Sequence, residues 1–423
     1  MFIHLDLDCF FVSAHRTLDE SLFHIPVAVG GRSNLNIFSS KKEIRKISSN
    51  SGAFVSTILT NEGMKSFKEY FVDENGKIRG IITTSSYEAR AFGVKTAMSV
   101  NEALGLCPHL KMLPPNYPLY HDLSNKLKEL LIKEIPLVEQ YSIDEFFGDV
   151  SGYIDEHEII DFAYNLKKKI FDELKLPISI GIANTKYLSK LITEYAKPDG
   201  IKYVSSDNIG NFIKDIPIKE FPGIGKAFQE RLKGYGIKTL GDIKKNQKLF
   251  YSWKQPGIDL YNRVCGIRDN KLTFEREKKS IGIGRTFDAV FDRVELKRRV
   301  MILSRYLCFL VKKANVNPLT YAIKIRYEYR IKSKNYVNVN RIFNEIDFKS
   351  QMLELFDCTD NHPTHGVIQL NITVLNFAKV NEYTYNLFEY EADIKKRALT
   401  NQLQKLRNKY GIDIVKNAFE IKQ

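Results

Sequence analysis

The 423-residue sequence predicts an α+β chain: a split βαβ body, then a helical region, then a second α/β region. Three observations point there. Between residues 2 and 183, apolar patterns run strand, helix, strand, strand, helix, strand. Between 207 and 275 the pattern is helical with glycine-rich joints. Beyond 285, strands return and alternate with helices. The length exceeds one compact core, so two to four domains are expected.

Each element has its own reason. In FIHLDLD (2–8), Ile3, Leu5 and Leu7 alternate with His4, Asp6 and Asp8, the period of a strand. FFVSAH follows as a helix start, and PVAVGG (26–31) is a second strand ending in a glycine turn. Residues 33–79 are rich in Ser, Asn and Lys and read as an insertion, partly helical around 61–71. GIITTS (80–85) is a strand leading into YEARAFGV, a short helix capped by Gly93. Residues 116–134 have the apolar spacing of a helix. VEQYSI and EFFGDV flank Asp144 as the arms of a hairpin. A helix at 156–175, the buried strand ISIGIA and the helix KYLSKLITEYA, closed by KPDG, complete the body. PGIG (222–225) then joins two helical stretches, and EREKKSIGIGR (275–285) is a basic link. A helix at 294–314, paired strands at 320–341, a further helix, a strand at 366–377 and a charged helix at 393–411 end the pattern.

Composition narrows the function. There are 64 Lys and Arg against 50 Asp and Glu, a net charge of +14. Residues 215–345 hold 29 basic and 13 acidic groups, an excess of 16, while 1–214 hold 25 and 27. A near-neutral body is thus attached to a region suited to gripping a polyanion. No apolar run approaches the roughly 18 residues of a membrane span. Asp6 and Asp8 stand where a secretion signal would carry basic and then apolar residues, so a cytoplasmic protein is expected. Five dispersed cysteines with no C-x-x-C pair argue against a disulfide framework and a cysteine zinc site.

Three carboxylates stand out. Asp6 ends the first strand; Asp144 and Glu145 sit together between apolar strand arms. In a split βαβ sheet the first strand and the hairpin are neighbours, so all three acids would project from one sheet edge. They would repel unless a cation neutralised them. Oxygen ligands without His or Cys favour Mg2+ or Mn2+. Two such ions can activate an attacking oxygen and stabilise a leaving phosphate oxygen. Asp8 follows the same period and is a candidate fourth acid.

At this point the chain resembles the Y-family of translesion DNA polymerases, the DinB/UmuC-like class. The motifs run in order: HLDLDCFF, PVAVGG, TTSSYEARAFGVKTAMS, YSIDEFF, SIGIANTKYLSKLITEYAKPDGI, FPGIGKAFQERLKGYGI and KKSIGIGRTF. The resemblance implies a right-hand polymerase with a ferredoxin-like palm, small fingers, a helical helix-hairpin-helix thumb and an α/β little finger. It assigns residues 1–10 and 116–203 to the palm and 11–115 to the fingers, with the insertion at 33–79. The thumb takes 204–275, a linker 276–285, the little finger 286–378, and a C-terminal tail and helix 379–423.

Residue by residue, Asp6, Asp144 and Glu145 match the family's catalytic, metal-binding acids. Leu7 matches the position whose backbone carbonyl joins them. Phe11 matches the aromatic steric gate, an apolar ring that leaves no room for a 2′-OH. Thr84, Tyr87, Arg90 and Lys197 match residues that contact the nucleotide triphosphate. Gly223, Ile224, Gly225 and Lys226 resemble a helix-hairpin-helix turn, where glycine lets backbone N–H groups approach a phosphate. Arg285, Arg326 and Arg330 lie in segments resembling the DNA-holding little-finger sheet. Leu387 and Phe388 match the end of a sliding-clamp peptide, with Thr384 where relatives carry glutamine. The resemblance implies an error-prone, template-directed DNA polymerase acting as a monomer on primer-template DNA and dNTPs, with two Mg2+ ions per site and a sliding clamp as partner. Two other readings stay open here: another palm-bearing phosphoryl transferase, such as a nucleotide cyclase, and a catalytically idle DNA- or clamp-binding protein.

Overall fold

The computed structural model describes residues 1–38, 65–267, 272–274, 279–378 and 388–421, with the backbone of 46–47 and 58–59. The described chain forms two compact units. One holds 1–31 with 65–274; the other holds 32–38 with 279 onward.

The first unit is organised by a five-stranded sheet in the order Ile201–Tyr203, Ile178–Ala183, Phe2–Leu7, Glu145–Asp149, Leu137–Gln140. All neighbours are antiparallel except the first pair. Phe2–Leu7 is buried along its whole length because both faces are covered. Gly181 shows how closely one face is approached: a Cβ there would lie 2.3 Å from the Ser189 carbonyl oxygen in helix Lys186–Glu194. On that face His4 Nδ1 meets Thr193 Oγ1 at 2.8 Å. On the opposite face Gly148 lets Ile3 pack against Ile135, which follows helix Tyr117–Glu134. Helix Ile159–Leu174 supplies the second crossover of the split βαβ pattern.

A smaller sheet, ordered Ile81–Ser85, Val27–Gly31, Lys111–Leu113, carries the short helices Tyr87–Ala91 and Val100–Leu106. Its core includes Ala28, Phe71, Ile82, Val100 and Met112. The helix expected around 61–71 is the shorter Phe67–Phe71, started by a Ser66–Glu69 capping box. Five helices between Ile209 and Cys265 then enclose Ile213, Phe221, Ile224, Leu232 and Phe250.

The second unit has a four-stranded antiparallel sheet ordered Ser280–Val290, Val367–Ala378, Asn317–Tyr327, Lys332–Asn338. Helices Arg293–Ala314 and Glu345–Thr359 bury one sheet face, where Ile283, Ile325, Leu370, Ile372 and Val374 meet Leu303, Leu307 and Phe348. Helix Tyr390–Tyr410 and residues 411–421 close the unit through buried ion pairs. Arg305 reaches Asp413 and Glu420 at 2.7 Å each, and Lys349 reaches Glu345 and Glu420 at 2.7 Å each.

The insertion expected wholly within the fingers is divided. Residues 32–38 belong to the second unit. Ile37 and Phe38, 2% and 7% exposed, join its core beside Phe287. Thr286 donates its N–H to Ser33 Oγ, Arg285 Nε donates to the Asn34 carbonyl, and Arg298 to the Phe38 carbonyl. The physical reason is burial: LNIF finds an apolar pocket and backbone partners there.

Candidate active site

The acids converge as strand pairing requires. Asp6 stands opposite Glu145 on the neighbouring strand, and Leu7 donates its N–H to the Asp144 carbonyl at 3.1 Å. Ser142 holds the intervening turn: its hydroxyl donates to Asp144 Oδ1 and accepts the Glu145 N–H at 3.1 Å. Asp6 is 6% exposed. Burial pushes its pKa up to about 8; Glu145 and Asp144 add to the rise and Lys197 opposes it. Asp144 is raised as well, again chiefly by burial. Lys197 Nζ lies 2.9 Å from both Asp6 Oδ2 and Glu194 Oε1, and Lys190 pairs with Glu145. The edge therefore crowds together more buried carboxyl groups than its lysines can hold ionised. An all-oxygen donor set in that state fits hard divalent cations, and Asp6, Asp144, Glu145 and the Leu7 carbonyl would hold them.

Asp8 departs from expectation. The strand ends at Leu7, and Cys9 adopts φ 47°, which turns the chain into helix Phe10–Arg16. The Asp8 carboxylate consequently leaves the acidic edge. Its Oδ1 accepts from the Tyr87 hydroxyl at 3.0 Å; its Oδ2 accepts from Ser179 Oγ and the Asp199 N–H, both at 2.8 Å.

Phe11 lies in that helix, 6% exposed, and stacks on Tyr120 with ring centroids 4.3 Å apart and planes 13° from parallel. The Tyr120 hydroxyl is fixed by His15 Nε2 at 2.9 Å. Thr84 is half-buried in strand Ile81–Ser85. Ser86 caps the next helix by accepting the Ala89 N–H, which sets Tyr87 and Arg90 one turn apart. The Arg90 guanidinium lies 4.8 Å from the Tyr87 ring centroid, and its Nε donates to the Ser85 carbonyl. Glu88 pairs instead with Arg16 at 3.0 Å, so Arg90 keeps an exposed cationic end.

The expected phosphate-gripping residues divide by geometry. Gly223, at φ 96°, and Gly225, which caps helix Lys226–Gly234, are exposed, and a Cβ at either would meet nothing within 4 Å. Lys226 is exposed beside them. Ile224 differs: its side chain is 4% exposed in the helical core and its N–H goes to the Phe221 carbonyl. In the second unit, register puts Arg326 on the open sheet face with Lys324, Lys332, Lys334, Tyr336 and Asn371. The sequence reading missed these companions, although the period-two spacing of Lys332, Lys334 and Tyr336 carries the signal. Arg285 has the other register, opposite Leu370, and donates to the Gly284 and Asn34 carbonyls. Arg330 is exposed in the turn Glu328–Arg330. Phe388 is 96% exposed, while Leu387 lies outside the described residues.

The chain was compared with known proteins. Residues 5–194 match the impB/mucB/samB family and 206–237 the IMS family HHH motif. DNA polymerase IV of Photorhabdus laumondii is 32% identical over 322 residues, 75% of this chain and 78% of the relative. DNA polymerase IV of Shigella flexneri is 29% identical, over 70% and 77%. A solved Y-family polymerase chimera of Dbh and Dpo4 superposes with a TM-score of 0.68 at 21% identity, covering 89% of this chain and 98% of the other. DinB from Sulfolobus solfataricus gives 0.51 at 20% identity, covering 89% and 98%. The fold is thus the α+β architecture of these polymerases, and the chain belongs to the DinB-like Y-family as a DNA-directed DNA polymerase.

Proposed function

We propose that this translesion polymerase is error-prone and extends a primer by two-metal nucleotidyl transfer from dNTPs. The observation that carries the reading is the meeting of Asp6, Asp144 and Glu145 at one buried edge with Asp6 raised to about 8. When bound there, two divalent cations, Mg2+ or in its place Mn2+, supply Lewis acidity toward the primer 3′-OH and charge neutralisation for the departing pyrophosphate. The three carboxylates and the Leu7 carbonyl orient the donors for those cations. Arg90 and Lys197, with Tyr87 and the Thr84 hydroxyl, bind the triphosphate; the planar Arg90 fork suits two phosphate oxygens. Phe11, backed by Tyr120, presents an apolar face to the sugar and excludes a 2′-OH. Gly223, Gly225 and Lys226 take phosphates of the duplex without reading bases. Arg326 and Arg330 do the same from the second unit.

The protein acts as a cytoplasmic monomer on primer-template DNA, and Leu387 and Phe388 meet a sliding clamp. The catalytic body corresponds to palm residues 1–10 and 116–203, with fingers at 11–115 apart from the residues 32–38 that join the second unit, thumb at 204–275, linker at 276–285, little finger at 286–378 and a tail beyond. Among the described residues no helix is long and apolar enough to cross a membrane. The test is primer extension with Mg2+ on undamaged and abasic templates. Asp144→Ala should abolish extension while DNA binding persists; extension near the wild-type rate would overturn the reading.

A further inference from the structure

The geometry points to Asp8 as a positioning residue for the incoming nucleotide, rather than a fourth metal ligand. Two observations separate it from the acidic edge. First, its carboxylate is 3% exposed and already accepts three hydrogen bonds, one on Oδ1 and two on Oδ2. Second, those donors come from three separate parts of the chain. Tyr87 starts the helix bearing Arg90, and Asp199 follows Lys197 by two residues. Ser179 lies on the strand paired with Asp6. The Asp8 backbone is fixed independently, donating its N–H to the Pro177 carbonyl and accepting Ser13 Oγ at 2.6 Å.

One carboxylate thus links the strand beside Asp6, the helix of Tyr87 and Arg90, and the loop of Lys197. An anionic acceptor makes each of these bonds stronger than a neutral one would. Burial with three donors also makes loss of the carboxylate costly, because the donors are left without a partner. The Arg90 guanidinium rests against the Tyr87 ring, so fixing the Tyr87 hydroxyl restricts Arg90 too. Asp8 acts through Tyr87 and Lys197, and this inference rests on their assignment to the triphosphate. Misplacing such groups by about 1 Å is enough to cost up to about a hundredfold in rate.

The test is a set of variants, D8A, D8N, S179A, Y87F and D8A/Y87F, assayed by primer extension for KM of dNTP, kcat and half-saturating Mg2+. D8A should raise the dNTP KM about tenfold or more, with half-saturating Mg2+ within about twofold of wild type. D8N should recover most of the loss, because its amide oxygen can still accept from Ser179 and Asp199 while its NH2 donates to the Tyr87 hydroxyl. D8A/Y87F should be no worse than D8A alone, as expected for groups acting as one unit. A metal ligand would behave otherwise: D8N would be as damaging as D8A, and both would move half-saturating Mg2+ by about tenfold or more. That result, or effects of D8A and Y87F that multiply, overturns the proposal. Y87F with an unchanged dNTP KM would instead defeat the nucleotide assignment of Tyr87. Should D8A fail to fold by thermal melting, D8N and S179A still decide: unchanged half-saturating Mg2+ supports positioning, and a shift with D8N refutes it.

Discussion

Asp6 and Glu345 are both buried carboxylates, 6% and 4% exposed, yet their surroundings treat them oppositely. Asp6 shares its one lysine with Glu194 and faces two further acids. Its pKa is driven up to about 8, by burial first. Glu345 receives Arg407 through two nitrogens, and Lys349 at 2.7 Å. Burial acts on it in the same upward direction, but those cations outweigh it and hold its pKa below the usual value. Carboxyl groups left under-compensated in the first unit are the condition for drawing in cations. Charge matched in the second unit holds helices together. Strong burial of an acid is common to both, so the balance of partners separates chemistry from architecture.

This contrast can be broken in order of effect. Asp6→Asn should lower primer-extension kcat by about a thousandfold or more, about 4 kcal/mol, while the melting temperature stays level or rises. A large fall in melting temperature would mean that Asp6 is structural. Glu345→Ala should do the reverse, costing about 3–5 kcal/mol of second-unit stability by stranding the buried Arg407 guanidinium. Denaturant unfolding of the full chain reads this out, and an unchanged midpoint would show the network to be dispensable.

A buried base offers a third case. Burial holds His15 at about 4, below its ordinary 6.5. The unfolded chain therefore takes up this proton first. Stability is undiminished above pH 6.5, falls as pH drops toward 4, and loses no more from this group below that. The expected loss is up to about 3 kcal/mol. Unfolding midpoints at pH 7 and 5 measure it, and His15→Gln should flatten the slope. The smallest effect belongs to exposed charge. Removing Lys334 from the open sheet face should weaken DNA binding modestly and reduce the magnitude of the salt slope by about 1. Titrations at several salt concentrations test this against Lys126→Ala, a lysine on helix Tyr117–Glu134 paired with Asp122.

Much of this was legible in the sequence. Asp6, Asp144 and Glu145 could be found because each interrupts an apolar strand, and the element order fixed which strands would be neighbours. The period-two rule then failed where the strand stopped: Cys9 in the left-handed region redirects Asp8, and no pattern announces that. The surroundings of Arg285 were hidden for a related reason. Its register puts it opposite Leu370, but register across a sheet is set by pairing with a strand far along the chain. The buried Lys186–Glu139 pair was invisible too, since Lys186 reads as one more polar residue at a helix start. Tyr120 carried no signal of its own, since only the fold brings it beneath Phe11.

The placement of Ile37 and Phe38 has a consequence for how such proteins can be recombined. Part of the second unit's core is encoded ahead of most of the first unit, so a cut near residue 276 does not release a complete module. A fragment starting at 280 would lack the ring that packs edge-on against Phe287 and the carbonyl that Arg298 binds. Grafting this region onto a relative, or replacing it with a relative's, would leave an open apolar socket on one side and an orphaned LNIF segment on the other. Exchange would succeed only if residues 32–38 travelled with it, which ties two distant stretches of the gene into a single unit of inheritance.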